Sequence, residues 1–247
     1  MNIASYLDST YLKTAEQAGL SIEENKIKVL ELLKEAQEND FFLAMIRPDM
    51  VKMAYDYYRK SGAKVKIGTV IGFPQGTFSI EEKLKEAQTA IQDGADELDF
   101  VINYTKYIAG NKEEVKEEFL RGTKLALENG IVVKWIIEIA ALTDDQIQDI
   151  SRDIATWAEE AFTIPQQNQI FIKSSTGFFN TKEGKPNGAT KEGISLMKKN
   201  AGNLKVKAAG GVRSHKEALE MIDLGVERIG TSSAKSLLDG QNVEGGY

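Results

Sequence analysis

Gln169-Ile170-Phe171-Ile172-Lys173-Ser174-Ser175-Thr176-Gly177-Phe178 opens as a buried strand and closes on a turn. Ile170, Phe171 and Ile172 are bulky β-formers in a row. A lysine then stands where an apolar residue is expected, and Ser-Ser-Thr-Gly follows, small residues that let backbone approach a ligand. A lysine at the end of a buried strand is costly unless it is paired or has chemistry to do. Desolvation and a nearby cation would lower its pKa and free an amine able to attack a carbonyl. The second cation is Lys207, in Val206-Lys207-Ala208-Ala209-Gly210-Gly211-Val212-Arg213, the next strand-like stretch along.

On either side of these two stretches the same alternation continues. Short runs of β-formers fall at 4–8, 42–46, 65–73, 97–103, 132–139, 169–174, 205–209 and 228–231. Charged segments with helical periodicity fill 21–39, 48–61, 79–93, 112–129, 143–162, 190–200, 214–224 and 232–238. Ser79-Ile80-Glu81-Glu82 and Thr143-Asp144-Asp145-Gln146 fit capping boxes. Gly62, Gly94, Gly130, Gly202 and Gly225 each sit just past a helical segment, where a left-handed cap belongs. Alternating strand–helix units require parallel strands. Eight such units in 247 residues fit an α/β fold of the (β/α)8 barrel type, one domain over 1–247 with a flexible tail at 239–247. A doubly wound sheet is the alternative, but no GxGxxG follows an early strand.

Composition narrows the function classes. Hydrophobic residues make up 42% and charged residues 28%, ordinary for a globular chain. No cysteine is present, which excludes disulfides and thiolate chemistry. A single histidine argues against a histidine-based metal site or a Ser-His-Asp triad. The net charge of −6 argues against nonspecific nucleic-acid binding. No run is long and apolar enough for a membrane span, and the start lacks a basic leader, so a cytoplasmic protein is expected.

Side chains alternate across a strand, so parity assigns faces. Leu98, Phe100 and Ile102 form a wholly apolar face that should pack under helices. Asp99 then points into the barrel, with Val101 and Asn103. The same argument turns Lys134, Ile136 and Glu138 inward on the fifth strand, Lys173 with Phe171 on the sixth, and Lys207 on the seventh. Asp8 ends the first strand. The expected lumen therefore holds three acids, Asp8, Asp99 and Glu138, and three bases, Lys134, Lys173 and Lys207. For Lys134 and Glu138 a structural ion network explains the charges as well as chemistry does. Two adjacent lysines repel each other, which is poor structural design and useful chemistry.

Barrels often hold phosphate with the loops after strands seven and eight. Here Thr176-Gly177, Gly210-Gly211-Val212-Arg213 and Gly230-Thr231-Ser232-Ser233 end three consecutive strands, and their backbone amides and serine hydroxyls suit an anion. Arg213 adds charge or is a solvated surface residue, and His215, at a helix start, is expected in solvent.

Taken together these residues resemble the deoxyribose-phosphate aldolase family, class I aldolases on a (β/α)8 barrel. The resemblance runs through Tyr6-Leu7-Asp8-Ser9-Thr10-Tyr11-Leu12-Lys13, Val70-Ile71-Gly72-Phe73-Pro74, Gly94-Ala95-Asp96-Glu97-Leu98-Asp99, the two lysine stretches and Arg228-Ile229-Gly230-Thr231-Ser232-Ser233. It implies reversible cleavage of 2-deoxy-D-ribose 5-phosphate to acetaldehyde and D-glyceraldehyde 3-phosphate. It implies Lys173 as the Schiff-base lysine, Lys207 as the lysine that perturbs it, and Asp99 in the proton relay. Asp8, Thr10, Gly177, Gly210, Gly211, Arg213, Gly230, Ser232 and Ser233 are the expected substrate and phosphate contacts. Neither metal nor organic cofactor is implied, and the partners are small phosphosugars and aldehydes, not nucleic acid or membrane, with a homodimer as the assembly. The C-terminal Glu244-Gly245-Gly246-Tyr247 is either a disordered end or a tail whose Tyr247 phenol assists proton transfer at C2. The rivals are another phosphosugar Schiff-base barrel, transaldolase-like, and a barrel that binds phosphosugars without turnover.

The chain departs from the family pattern at Ser9, where histidine is common, and at Met45, where cysteine is common. Met45 removes a thiol that aldehyde products could modify. Residual activity after incubation with concentrated acetaldehyde should therefore exceed that of a cysteine-bearing relative; comparable rapid loss would refute this.

Overall fold

The computed structural model describes residues 2–182 and 186–241. Eight parallel strands follow one another around a closed barrel: β1 (Leu7–Thr10), β2 (Leu43–Ile46), β3 (Lys66–Ile71), β4 (Glu97–Val101), β5 (Val132–Ile136), β6 (Ile170–Lys173), β7 (Lys205–Ala209) and β8 (Arg228–Thr231). β8 pairs back onto β1, so no sheet edge is left open. Eight helices follow the strands in turn: Ile22–Glu38, Val51–Ser61, Ile80–Gln92, Lys112–Glu128, Asp144–Ala161, Lys191–Asn200, His215–Asp223 and Ala234–Leu238. The architecture is the expected (β/α)8 barrel rather than a doubly wound sheet.

Local chemistry sets most boundaries. The capping boxes at Ser79 and Thr143 are both closed, side chain to backbone in each direction. The five cap glycines all have positive φ. Where the expected strands overran, a side chain or a turn ends them. Residues 3–6 form a 3-10 helix capped by Asn2, so β1 starts at Leu7 and Asp8 lies within it rather than at its end. β4 stops at Val101 because the Asn103 side chain accepts from Lys106 N and starts a short helix, Tyr104–Ile108. β5 stops at Ile136, and Glu138 turns to a left-handed φ of 56°. Two more short helices, Ala15–Ala18 and Ile164–Gln167, were not legible as separate elements.

The register fixes an apolar layer between the strands and the helices. Facing the helices, Phe100 stacks on Trp135 with ring centroids 4.8 Å apart, and Phe119 of helix Lys112–Glu128 packs on the same indole at 5.4 Å. The indole N–H of Trp135 donates to Thr123 Oγ1 at 2.9 Å, which satisfies its only polar atom. Trp135 is fully buried. Trp135→Ala should lower the unfolding free energy by about 3–5 kcal/mol, read as a fall in the urea midpoint; a loss below about 1 kcal/mol would show that this layer collapses around the vacancy.

Candidate active site

The register pairs Lys173 with Lys207 across β6 and β7, and Asp99 with Lys134 across β4 and β5. Inside the barrel these side chains converge on Asp99. Lys173 Nζ and Lys207 Nζ both donate to its Oδ2, at 2.8 and 3.0 Å, and Lys134 Nζ donates to Oδ1 at 2.7 Å. Lys134 also reaches Glu97 at 2.6 Å, and Lys207 reaches Asp8 at 2.6 Å. Below them Arg228 closes the ring, donating to Glu97 at 2.5 Å and lying 3.4 Å from Asp8. Its guanidinium sits 3.4 Å from the centroid of the Phe42 ring, which covers the floor of the barrel.

Protonation follows from burial and from these contacts. Burial alone would raise Asp99, but Lys134, Lys173 and Lys207 outweigh it and hold the carboxyl well below its ordinary range. Asp8 is likewise lowered against the effect of burial, by Arg228 and Lys207. Lys134 is raised, since Asp99 and Glu97 overcome its desolvation. Lys173 goes the other way. Burial brings it down to about 8; Asp99 opposes, and Lys207 adds to the fall. Desolvation therefore leads and the lysine–lysine repulsion is a lesser cause.

Lys173 opens into a pocket at the C-terminal mouth of the barrel, shared with Thr10, Thr176, Gly177, Gly210, Gly211, Arg213, Gly230, Ser232 and Ser233. Every expected phosphate contact except Asp8 is on this wall; Asp8 lies beneath it, paired with Lys207. Gly210 and Gly211 have φ of 73° and 78°, and a side chain on Gly210 would meet Gly188 Cα at 3.0 Å. Only glycine serves there, and the turn keeps backbone facing the cavity. The amide of Ser233 is held by Thr231 Oγ1 at 3.1 Å. Arg213 is exposed at the rim.

Several placements differ from the sequence reading. Glu138 lies outside the ion network: its carboxylate accepts from Thr176 N at 3.1 Å and from Thr176 Oγ1. Glu97 and Arg228 take part instead and were missed, although Glu97 shares parity with Asp99 and Arg228 with Gly230. Asn187, another wall residue, donates to the Gly177 carbonyl at 3.1 Å; its irregular segment gave no periodic signal. His215 is half-buried, its Nδ1 2.8 Å from the Leu237 carbonyl, not free in solvent. Met45 is buried in the lumen wall against Gly68, where a side chain would come within 2.6 Å of its methyl. Tyr247 and the tail from 242 lie outside the described residues. Among the described residues, no group of three or more His, Cys, Asp or Glu is placed to hold a metal ion, and no helix is long and apolar enough to cross a membrane.

The profile of the DeoC/LacD family aldolase matches residues 11–240. The chain belongs to the DeoC/LacD aldolase family. It is 40% identical over 239 residues to the deoxyribose-phosphate aldolase of Thermococcus kodakarensis, covering 96% of each chain. It is 34% identical over 247 residues to that of Bacillus subtilis, covering 100% of this chain and 99% of the other. Among solved structures, the tetrameric deoxyribose phosphate aldolase of Aeropyrum pernix superposes with a TM-score of 0.78 at 31% identity, covering 96% of this chain and 89% of that one.

In this aldolase the arrangement offers a buried amine, available in its neutral form near neutrality, at the foot of an anion-compatible pocket. The pH dependence follows with its sign. Lys173 is a nucleophile only when deprotonated, so imine formation should rise through a pH of about 8. Lys207→Leu removes a neighbouring cation and leaves Asp99 with one fewer counter-ion, so this limb should move to higher pH. Stopped-flow rates of imine formation with acetaldehyde across pH would measure it; an unmoved limb would mean that burial alone sets the amine.

Proposed function

We propose that the chain is a deoxyribose-phosphate aldolase, cleaving 2-deoxy-D-ribose 5-phosphate to acetaldehyde and D-glyceraldehyde 3-phosphate through an imine on Lys173. The observation that carries this reading is the meeting of Lys173 and Lys207 on one oxygen of Asp99, at the foot of a glycine-lined pocket. The neutral amine of Lys173 attacks C1 of the open-chain sugar, and loss of water gives a protonated imine. That imine is the electron sink, so the chemistry calls for no cofactor. The C3 hydroxyl proton passes through a water to the Asp99 carboxylate, which Lys207 flanks. The C2–C3 bond breaks, C3 becomes the aldehyde of glyceraldehyde 3-phosphate, and the electron pair enters an enamine on C1–C2. Protonation at C2 and hydrolysis return Lys173 and acetaldehyde. Asp99 rests ionised, so it can take this proton and return it through the water when C2 is protonated.

The turns at Gly177, Gly210–Gly211 and Gly230–Ser233 take the phosphate in this reading, with Arg213 at the rim. The same reading places the protein in the cytoplasm, where phosphorylated sugars are retained by their charge. It also takes the protein for a homodimer; light scattering showing twice the chain mass would agree, and a monomer or tetramer would refute it.

The deciding experiment is borohydride reduction after incubation with acetaldehyde, with the adduct mapped by mass spectrometry. Modification at Lys173 is expected, with none in Lys173→Ala and less in Lys207→Leu. Lys173→Ala should also lower cleavage of the phosphosugar by at least about a thousandfold. A folded protein without an adduct would remove the aldolase reading and favour a phosphosugar-binding barrel. Acetaldehyde as the donor also separates this activity from a transaldolase-like one.

A further inference from the structure

Glu138 is a buried carboxylate that the chemistry above leaves without a task. It is 1% exposed and stands two residues past the end of β5 in a left-handed backbone, φ 56° and ψ 67°. A residue with a side chain is strained there, and such strain persists where surrounding contacts fix it. One contact is identifiable. A single carboxylate oxygen, Oε2, accepts from both the amide and the hydroxyl of Thr176. The Thr176 hydroxyl oxygen in turn accepts from Phe178 N at 3.0 Å. Glu138 thus holds the middle of the turn that leads from Lys173 to the wall of the pocket, and through Thr176 its Phe178 end. Its other oxygen and the Ser175 hydroxyl make no well-formed hydrogen bond among the described residues, but that hydroxyl faces the carboxylate and adds to the support of its charge.

We propose that Glu138 is a positioning residue for the phosphorylated end of the substrate, fixing the turn Ser174–Phe178 through Thr176 and doing so only as a carboxylate. The inference rests on the aldolase reading above. Protonated, the carboxyl would lose the charge that shortens and strengthens its bonds to Thr176, and Ser175 would become an alternative partner for the acid proton. The turn would loosen at the anion end while Lys173, held in β6 and paired to Asp99, would stay in place. The charged and titratable groups facing Glu138 are Lys173 from β6 and the Tyr104 phenol from the short helix after β4. Burial pushes Glu138 up to about 7, with the Thr176 bonds and Lys173 opposing, so both forms are accessible near neutrality.

The test compares wild type, Glu138→Gln and Thr176→Val. KM and kcat are measured for 2-deoxyribose 5-phosphate and for unphosphorylated 2-deoxyribose between pH 6 and 8.5. The substrate phosphate titrates identically for each protein, so the ratio of KM values isolates Glu138. At pH 8 Glu138→Gln should raise KM for the phosphosugar by roughly fivefold, the gap between a charged and a neutral hydrogen bond. The gap should close toward pH 6, where wild-type Glu138 is itself neutral. Its KM for the unphosphorylated sugar should stay near wild type, and its kcat and acetaldehyde trapping, which feel Glu138 only through its charge near Lys173, should change less than the phosphosugar KM. Thr176→Val should raise KM in the same direction and supplies the comparison if the glutamine variant folds poorly. An unchanged KM at pH 8, or equal losses in KM and kcat at every pH, would overturn the proposal. A wild type that traps no acetaldehyde would fail earlier and on different grounds, because the aldolase reading itself would be gone.

Discussion

Everything in the lumen depends on one buried carboxylate, Asp99, which touches three ammonium groups and has no exposure. A carboxylate so placed is stable only because those cations replace its lost hydration, and each cation needs it for the same reason. The network around it has three acids, Asp8, Glu97 and Asp99, against four cations, Lys134, Lys173, Lys207 and Arg228. Lys134, Lys207 and Arg228 each reach two carboxylates, whereas Lys173 reaches one. One positive charge is in excess, and it is least supported at Lys173. Releasing that proton leaves three cations against three acids. The lowered pKa of Lys173, on which its proposed role as the reactive amine rests, therefore agrees with the lumen's charge count, with desolvation as the main driving force.

Closure of the barrel makes that count possible. Arg228 and Glu97 are 131 residues apart in sequence and meet only because β8 returns to β1 and the strands' inner faces share one space. Charges that would be exposed on an open sheet are sealed between the Phe42–Arg228 floor and the loops above. The sealed layer sets the amine, and the loops at the strand C-termini supply the cavity. Lys173 lies at the junction: its Nζ belongs to the network, and the residues after it belong to the pocket wall.

Legibility in the sequence followed this division. The fold was readable because strand and helix periods alternate and because caps such as Ser79 and Thr143 announce themselves within four residues. The amine site was readable because a charge inside an apolar strand is conspicuous, and parity then gives its direction. Strand ends were not, since β4 ends on the Asn103 cap and β5 on the backbone turn at Glu138. Running β5 past that turn placed Glu138 among the lysines, and attention to the strand centres passed over Glu97 and Arg228 at their starts. These two errors together kept the expected charges balanced at three and three, which concealed the excess cation. Asn187 was illegible for a different reason: its place in the wall depends on a fold-back onto Gly177 that no local pattern encodes.

Asp99 and Glu138 are both almost fully buried near the Lys173 strand, yet their environments pull them apart. Asp99 has a lysine on each oxygen and remains ionised across the neutral range. Glu138 has no ion pair among the described residues; the Thr176 amide and hydroxyl, with Lys173 and Ser175 adding less, do not offset burial, which prevails. A carboxylate locked in one state can organise an amine at every working pH. One whose state changes near neutrality cannot, but it can hold a turn whose hydrogen bonds depend on that state. The amine is accordingly tied to Asp99 within β6, and the turn beyond it to Glu138. This separates the electrostatics of imine formation from the geometry of binding, although only three residues lie between Lys173 and Thr176 inclusive of the latter.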